Sequence, residues 1–82
     1  MELNGIYYKN KTDCKRILKR EKAAAMRNLK RIKRWYKKTD SPEEKERLEG
    51  ATVEQLENLA YSSFNLKYLN DPEHRKPYPK EV

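Results

Sequence analysis

The sequence predicts a mainly α fold: an antiparallel helical hairpin made of a long basic helix and a second, possibly kinked or split helix. Three observations predict it. Residues 13–38 contain neither Gly nor Pro, their apolar residues recur at helical spacing, and a helix-start signal follows closely. Eighty-two residues are enough for one small domain. We expect four parts: 1–10 (β-hairpin or lead-in), 13–38 (basic helix), 42–69 (second helical segment) and 70–82 (extended tail with prolines).

The first ten residues favour a short β-hairpin. Asn4 and Gly5 lie between apolar residues, and this dipeptide suits a two-residue turn in which both residues have positive φ. Two short strands are barely stable alone, so the hairpin must lie on a helix. The alternative is an extended lead-in anchored by Tyr7 and Tyr8.

The long helix is expected to begin at a cap formed by Thr12 or Asp13. Its centre, Ala23 to Ala25, is strongly helix-favouring. At 100° per residue one stripe collects Cys14, Leu18, Ala25, Leu29, Ile32 and Tyr36, with Lys22 in the same seam. Twenty-six residues at ~1.5 Å each predict a rod of about 40 Å.

The second helix has the strongest local signal in the chain. Ser41 as cap, with Glu44 three residues later, has the pattern of a capping box. Gly50 and a second capping pattern that begins at Thr52 leave two readings open. One kinked helix is preferred over a short helix followed by a second one.

The two helices should fold back on each other, because only a short connection around Thr39 and Asp40 separates them. The residues of the second helix expected to face the first are Val53, Leu56, Ala60 and Phe64, with Leu59 beside them.

The C-terminal tail contains three prolines in eight residues and has no apolar period, which favours an extended, solvated segment. The alternative is that Tyr78, between Pro77 and Pro79, serves as a docking peptide.

The charge is divided unevenly along the chain. Residues 1–40 contain 14 Lys or Arg and 4 Asp or Glu, net +10; residues 41–82 contain 6 and 9, net −3, which together give the total of +7. Opposite the apolar stripe lie eleven cations: Lys15, Arg16, Lys19, Arg20, Arg27, Lys30, Arg31, Lys33, Arg34, Lys37 and Lys38. Many are four residues apart, and each such like-charged pair costs an isolated helix ~0.2–0.5 kcal/mol.

Solubility alone does not require charges of one sign, so the pattern favours an anionic partner over a merely solvated face. Nucleic acid is the commonest such partner, held by sequence-tolerant contacts to the RNA or DNA backbone. Trp35 could stack on an exposed base, or could cover the edge of the helical hairpin. A helix-turn-helix is disfavoured because the stretch between its would-be helices has no Gly or Pro.

Two other partners stay open. The protein could be a small inhibitor or adaptor, of the type that mobile elements encode, that docks its basic face on the acidic or nucleic-acid-binding channel of a larger protein. It could also be a structural component of a ribonucleoprotein.

Catalysis, cofactors and metals are not predicted. Cys14 and His74 are the only residues of their types, so a four-ligand Cys/His zinc site cannot be assembled, and a single cysteine cannot form an internal disulfide. No Gly-rich phosphate loop is present. No apolar run approaches a membrane span, and we expect an intracellular, reducing, cytoplasmic compartment.

Overall fold

The computed structural model describes residues 1–79 and has the predicted architecture. Two long helices pack together behind a small antiparallel β-hairpin, in a molecule that measures 48 × 21 × 21 Å. In chain order the elements are β1 (Glu2–Leu3), β2 (Ile6–Tyr7), α1 (Lys11–Lys38) and α2 (Pro42–Asn70). The final three positions of the predicted tail, 80–82, lie outside the described residues.

The N-terminal hairpin forms as predicted. Glu2 pairs with Tyr7 and Leu3 with Ile6, and the turn residues Asn4 and Gly5 have φ of 52° and 82°. Both central residues of this turn therefore have the positive φ that suits the twist of a two-residue hairpin. The buried side chain of Leu3 fixes the hairpin to the helices.

Helix α1 starts earlier than the sequence suggested. Asn10, in extended backbone, is the cap, and its Oδ1 accepts a hydrogen bond from the Asp13 N–H at 2.8 Å. The prediction that Thr12 or Asp13 caps the helix is wrong: the cap lies two to three residues earlier, where Asn10 accepts from one of the N–H groups that the first turn leaves free. At the other end, the Thr39 N–H donates to the Trp35 carbonyl at 3.0 Å.

Helix α2 is continuous through Gly50, as preferred. Ser41 caps it by accepting from the Glu44 N–H at 3.4 Å, while the Glu44 carboxylate accepts from the Thr39 hydroxyl at 2.9 Å. Thr52 does not start a new helix, since its hydroxyl donates to the Leu48 carbonyl within the helix at 2.8 Å.

The predicted stripe of α1 is confirmed from Cys14 to Ile32, where every member is buried or half-buried. The predicted face of α2 is wrong at three of its five residues: Val53 and Leu56 are 55% and 50% exposed, and Phe64 is also exposed. The other two, Leu59 and Ala60, are half-buried, as predicted. The buried and half-buried face of α2 includes Leu48, Thr52, Gln55, Leu59, Ser62, Asn65, Leu66 and Leu69.

The difference arises because α2 carries polar residues at interior positions. Gln55 accepts a hydrogen bond from the side-chain amide of Asn28 on α1 at 3.2 Å, and Ser62 is small. Gln55 is therefore paired at the helix contact, whereas the buried Ser62 hydroxyl has no hydrogen-bond partner among residues 1–79. Hydrophobicity alone does not identify a buried face that contains such residues.

The main core lies at the end of the molecule where β1 packs. It consists of Leu3, Cys14, Leu18 and Leu69, surrounded by partly buried side chains that include Tyr8 and Tyr61. Between positions 26 and 60, Leu48 is the single buried residue.

Within residues 1–79, neither helix has a stretch apolar and long enough to cross a membrane.

Candidate nucleic-acid interface

The eleven predicted cations all lie on one side of α1. At 100° per residue they cover an arc of about 160° centred opposite the apolar stripe. Lys15 is half-buried and the other ten are exposed. We call this set of eleven residues the basic surface. Its helix of 28 residues is about 42 Å long.

Almost none of the positive charge of the basic surface is neutralised by nearby carboxylates. Among residues 1–79, the one ion pair that involves it joins Arg16 to Asp13, one turn apart on the same helix. The Glu residues of α2 form no ion pair with it in this part of the chain; Glu49 instead accepts a hydrogen bond from the Tyr36 hydroxyl at 3.1 Å. This bond, first, and then the charge of Glu49 raise the pKa of Tyr36. The positive field therefore faces solvent.

Repulsion within the basic surface is built into its spacing. Six like-charged pairs lie four residues apart: 15/19, 16/20, 27/31, 30/34, 33/37 and 34/38. At ~0.2–0.5 kcal/mol each, they cost roughly 1–3 kcal/mol in total at low salt. Arg34, Lys37 and Lys38 recover part of this cost at the negative end of the helix dipole.

Trp35 lies at the edge of the basic surface and is 58% exposed. More than half of its surface is therefore open to solvent, and the remainder lies against its neighbours. It lies one helical turn from Arg31 and Lys38 in sequence, and it shares a shallow surface depression with Lys38 and Glu44. An exposed indole next to cations is an arrangement that can stack on a base while phosphates are held nearby.

The tail forms a contact that its composition did not predict as the first choice. Tyr78 is half-buried against α2, so the expectation of a solvated tail is wrong at this position, and the docking alternative describes it better. The Asn65 side chain accepts from the Tyr78 N–H at 2.9 Å and donates to the Tyr78 carbonyl at 3.2 Å. The Asn4 side chain donates to the same carbonyl at 2.7 Å.

Aromatic contact completes this tail-docking site, which we define as Asn4, Phe64 and Asn65. The Tyr78 ring stacks on the Phe64 ring with centroids 5.1 Å apart and an angle of 19° between planes. Lys67 lies over the Phe64 ring at 5.4 Å. In the sequence, the position of Tyr78 between two prolines indicated a docking segment. No sequence pattern indicated that Phe64 and Asn65 on α2 would be its partners.

A groove of about 420 Å³ lies between the helices beside the tail. Tyr8, Tyr61 and Tyr78 line it together with Glu21 and Glu57. Burial, followed by the charges of its neighbours, raises the pKa of Tyr8. The charged residues that line the groove are Glu21 and Glu57, so the groove carries charge of the opposite sign to the basic surface.

Groups that could support catalysis or metal binding are sparse in the described part of the chain. No three His, Cys, Asp or Glu side chains within residues 1–79 are placed to hold a metal ion. Cys14 is completely buried, and burial raises the pKa of its thiol. His74 is exposed and hydrogen-bonds through Nδ1 to the Asp71 carboxylate at 2.8 Å.

Comparison with protein-family models, curated proteins and solved structures finds no match to this chain.

Proposed function

We propose that this protein is a non-catalytic nucleic-acid-binding protein that holds the backbone of RNA or DNA through its basic surface. The observation that carries the proposal is the arrangement of the cations: ten of eleven are exposed along one side of a rod, and α2 does not neutralise them within residues 1–79. Repulsion inside this set destabilises the free helix, and an anionic polymer relieves it by placing phosphates between the cations.

Contacts of this kind are expected to tolerate sequence. Six of the eleven cations are lysines, which act as flexible point charges suited to phosphate oxygens. The arginines can in addition form two parallel hydrogen bonds to a phosphate or a guanine edge. Because phosphate contacts dominate, affinity depends on ionic strength far more than on base sequence.

Trp35 gives the interface a second kind of contact. An indole at the edge of the basic surface can stack on an unpaired base, and this contributes ~1–3 kcal/mol per base in proteins that bind single strands. We therefore expect single-stranded or loop-containing nucleic acid to quench its fluorescence. Trp35 is the only tryptophan, so the signal reports on this position alone.

The test is a titration of fluorescently labelled single strands, duplexes and stem-loops of several sequences at a series of salt concentrations. The proposal expects saturable anisotropy, a steep fall of affinity with salt and little dependence on sequence. Absence of binding at 50 mM salt to all three forms contradicts it. The variant Trp35→Leu serves as the stacking control, because it removes the aromatic ring: it should bind duplex unchanged and single strand more weakly.

A second candidate function is that of an adaptor or inhibitor that docks on a larger nucleic-acid-handling protein. The specific observation in its favour is the uncovered apolar face of α2, where Val53 and Leu56 are half-exposed or more. Purification with and without nuclease separates the candidates. A nucleic-acid binder loses its bound material on nuclease treatment, whereas an adaptor retains one host protein and loses it in the double variant Val53→Ser, Leu56→Ser.

A further inference from the structure

The tail-docking site forms hydrogen bonds with the backbone of an extended peptide segment. The Asn65 side chain is fully buried, and both of its polar groups are used on a single residue of another segment. An amide that donates to a carbonyl and accepts from an N–H of the same residue mimics a neighbouring β-strand. The amide therefore selects an extended backbone, and a buried amide left without these partners is costly.

Two further features narrow what the site accepts. The stack on Phe64 selects an aromatic side chain at the position that Asn65 holds. Pro77 and Pro79 flank that position, and proline favours the extended conformation of the residue before it. The recognised element is thus an aromatic residue between two prolines. Within the Tyr78 side chain, the described contacts involve the ring and not the hydroxyl.

None of these contacts requires the tail to come from the same chain. The connector, residues 71–77, is mostly exposed, and its described hydrogen bonds are local ones around Asp71 and His74. A connector of this kind contributes only an effective concentration, which is roughly millimolar for short flexible links. Identical contacts made by another copy give a dimer by exchange of the same element.

We propose that the tail-docking site also accepts the tail of a second copy of this chain, so that Tyr78 of one copy docks on Asn65 of another. The exchanged dimer carries two basic surfaces, because the docking contacts lie on α2 and the hairpin and leave that side of α1 uncovered. One consequence rests on the proposed function: copies that are crowded along an anionic polymer reach the local concentration at which exchange competes with docking in cis.

The test mixes two complementary full-length variants without nucleic acid, so its result is independent of the proposed function. Asn65→Leu keeps the tail but removes the amide of the site. Tyr78→Pro keeps the site but removes both the N–H and the aromatic ring of the tail. Neither variant can complete the contact alone, whereas a mixture offers one intact site and one intact tail.

At about 1 mM total protein, within the effective-concentration range, the proposal expects the mixture to form a 1:1 complex in analytical ultracentrifugation while each variant alone stays monomeric. A mixture that stays monomeric overturns the proposal. A complex that also forms from either variant alone overturns it too, because the contact is then a different one.

A peptide titration keeps the test decisive if Asn65→Leu does not fold. The probe is a synthetic peptide of residues 73–79, added to the Tyr78→Pro protein and followed by NMR shifts of the Asn65 side-chain amide. Saturable shifts are expected with this peptide and with its Tyr-to-Phe form, and at least ~10-fold weaker binding with its Tyr-to-Ala form. Equal binding of all three peptides, or none, overturns the proposal.

Discussion

Four cations toward the C-terminal end of α1 allow a quantitative test of the proposed interface. The perturbation is the replacement of Arg27, Arg31, Arg34 and Lys38 by Gln, all exposed and all within the basic surface. The matched control replaces four exposed cations elsewhere by Gln: Lys9, Arg47, Arg75 and Lys76. Each change lowers the net charge from +7 to +3, because four positive charges are removed.

The expected effect follows from counterion release. Each phosphate contact contributes ~0.9 to the slope of log K against log salt on duplex DNA. If each of the four residues contacts one phosphate, their removal makes the slope shallower by about 3.6. With the electrostatic contribution vanishing near 1 M salt, the loss at 0.1 M is about three to four orders of magnitude, or roughly 5 kcal/mol.

The measurement is fluorescence anisotropy of a labelled duplex from 50 to 300 mM salt for the parent chain and both quadruple variants. The control is expected to retain most of the slope, since its charges lie off the basic surface and act only through a screened long-range field. Equal losses in both variants would refute the reasoning, because net charge and not a localised surface would then explain binding.

Three smaller predictions test the fold. Gly50→Ala should stabilise the protein by about 0.5–1 kcal/mol and raise its Tm by roughly 2–8 °C, since the position is helical and an added Cβ meets open space. Gly5→Ala should instead lower the Tm, because the φ of Gly5 is +82°. Equal effects of the two glycine variants in thermal melts would contradict this. Ser41→Ala should cost about 1 kcal/mol in urea unfolding by removing the α2 cap, and no loss would mean that the cap is not used. Cys14 should resist a thiol reagent in the native protein up to pH 8.5 and react at once in denaturant, because burial both shields the thiol and raises its pKa; rapid native labelling would contradict the packing.

The sequence carried enough information for the architecture and for one helix face, and the reason is the distribution of charge. In α1 eleven of the thirteen cations occupy one arc, so the opposite arc was predicted to be the buried one, and Leu18 and Ala25 are indeed buried. The turn at Asn4 and the cap at Ser41 depend on local chemistry and were likewise readable. The start of α1 was predicted two residues too late, because several neighbouring residues can cap a helix equally well.

Helix α2 shows where such reading stops. Its apolar residues occur all round the helix, and its interior includes Gln55, Ser62 and Asn65. Two of these polar residues pair with side chains or backbone elsewhere in the chain: Gln55 with Asn28 on α1, and Asn65 with Tyr78, thirteen residues away. A periodic pattern cannot reveal a pairing of this kind, so the buried face was predicted only in part and the docked tail only as the alternative to a solvated one.

The uneven placement of the core has a consequence for how the molecule meets a long partner. Leu3, Cys14, Leu18 and Leu69 hold one end of the rod firmly, whereas the stretch from 26 to 60 is anchored by Leu48 as its single buried residue. The part of the basic surface that includes Arg31, with Trp35 at its edge, therefore lies at the less well packed end, where local unfolding costs the least free energy. Under the proposed function, that end would adjust its shape to an irregular strand, whereas the end packed around Leu3 would stay folded.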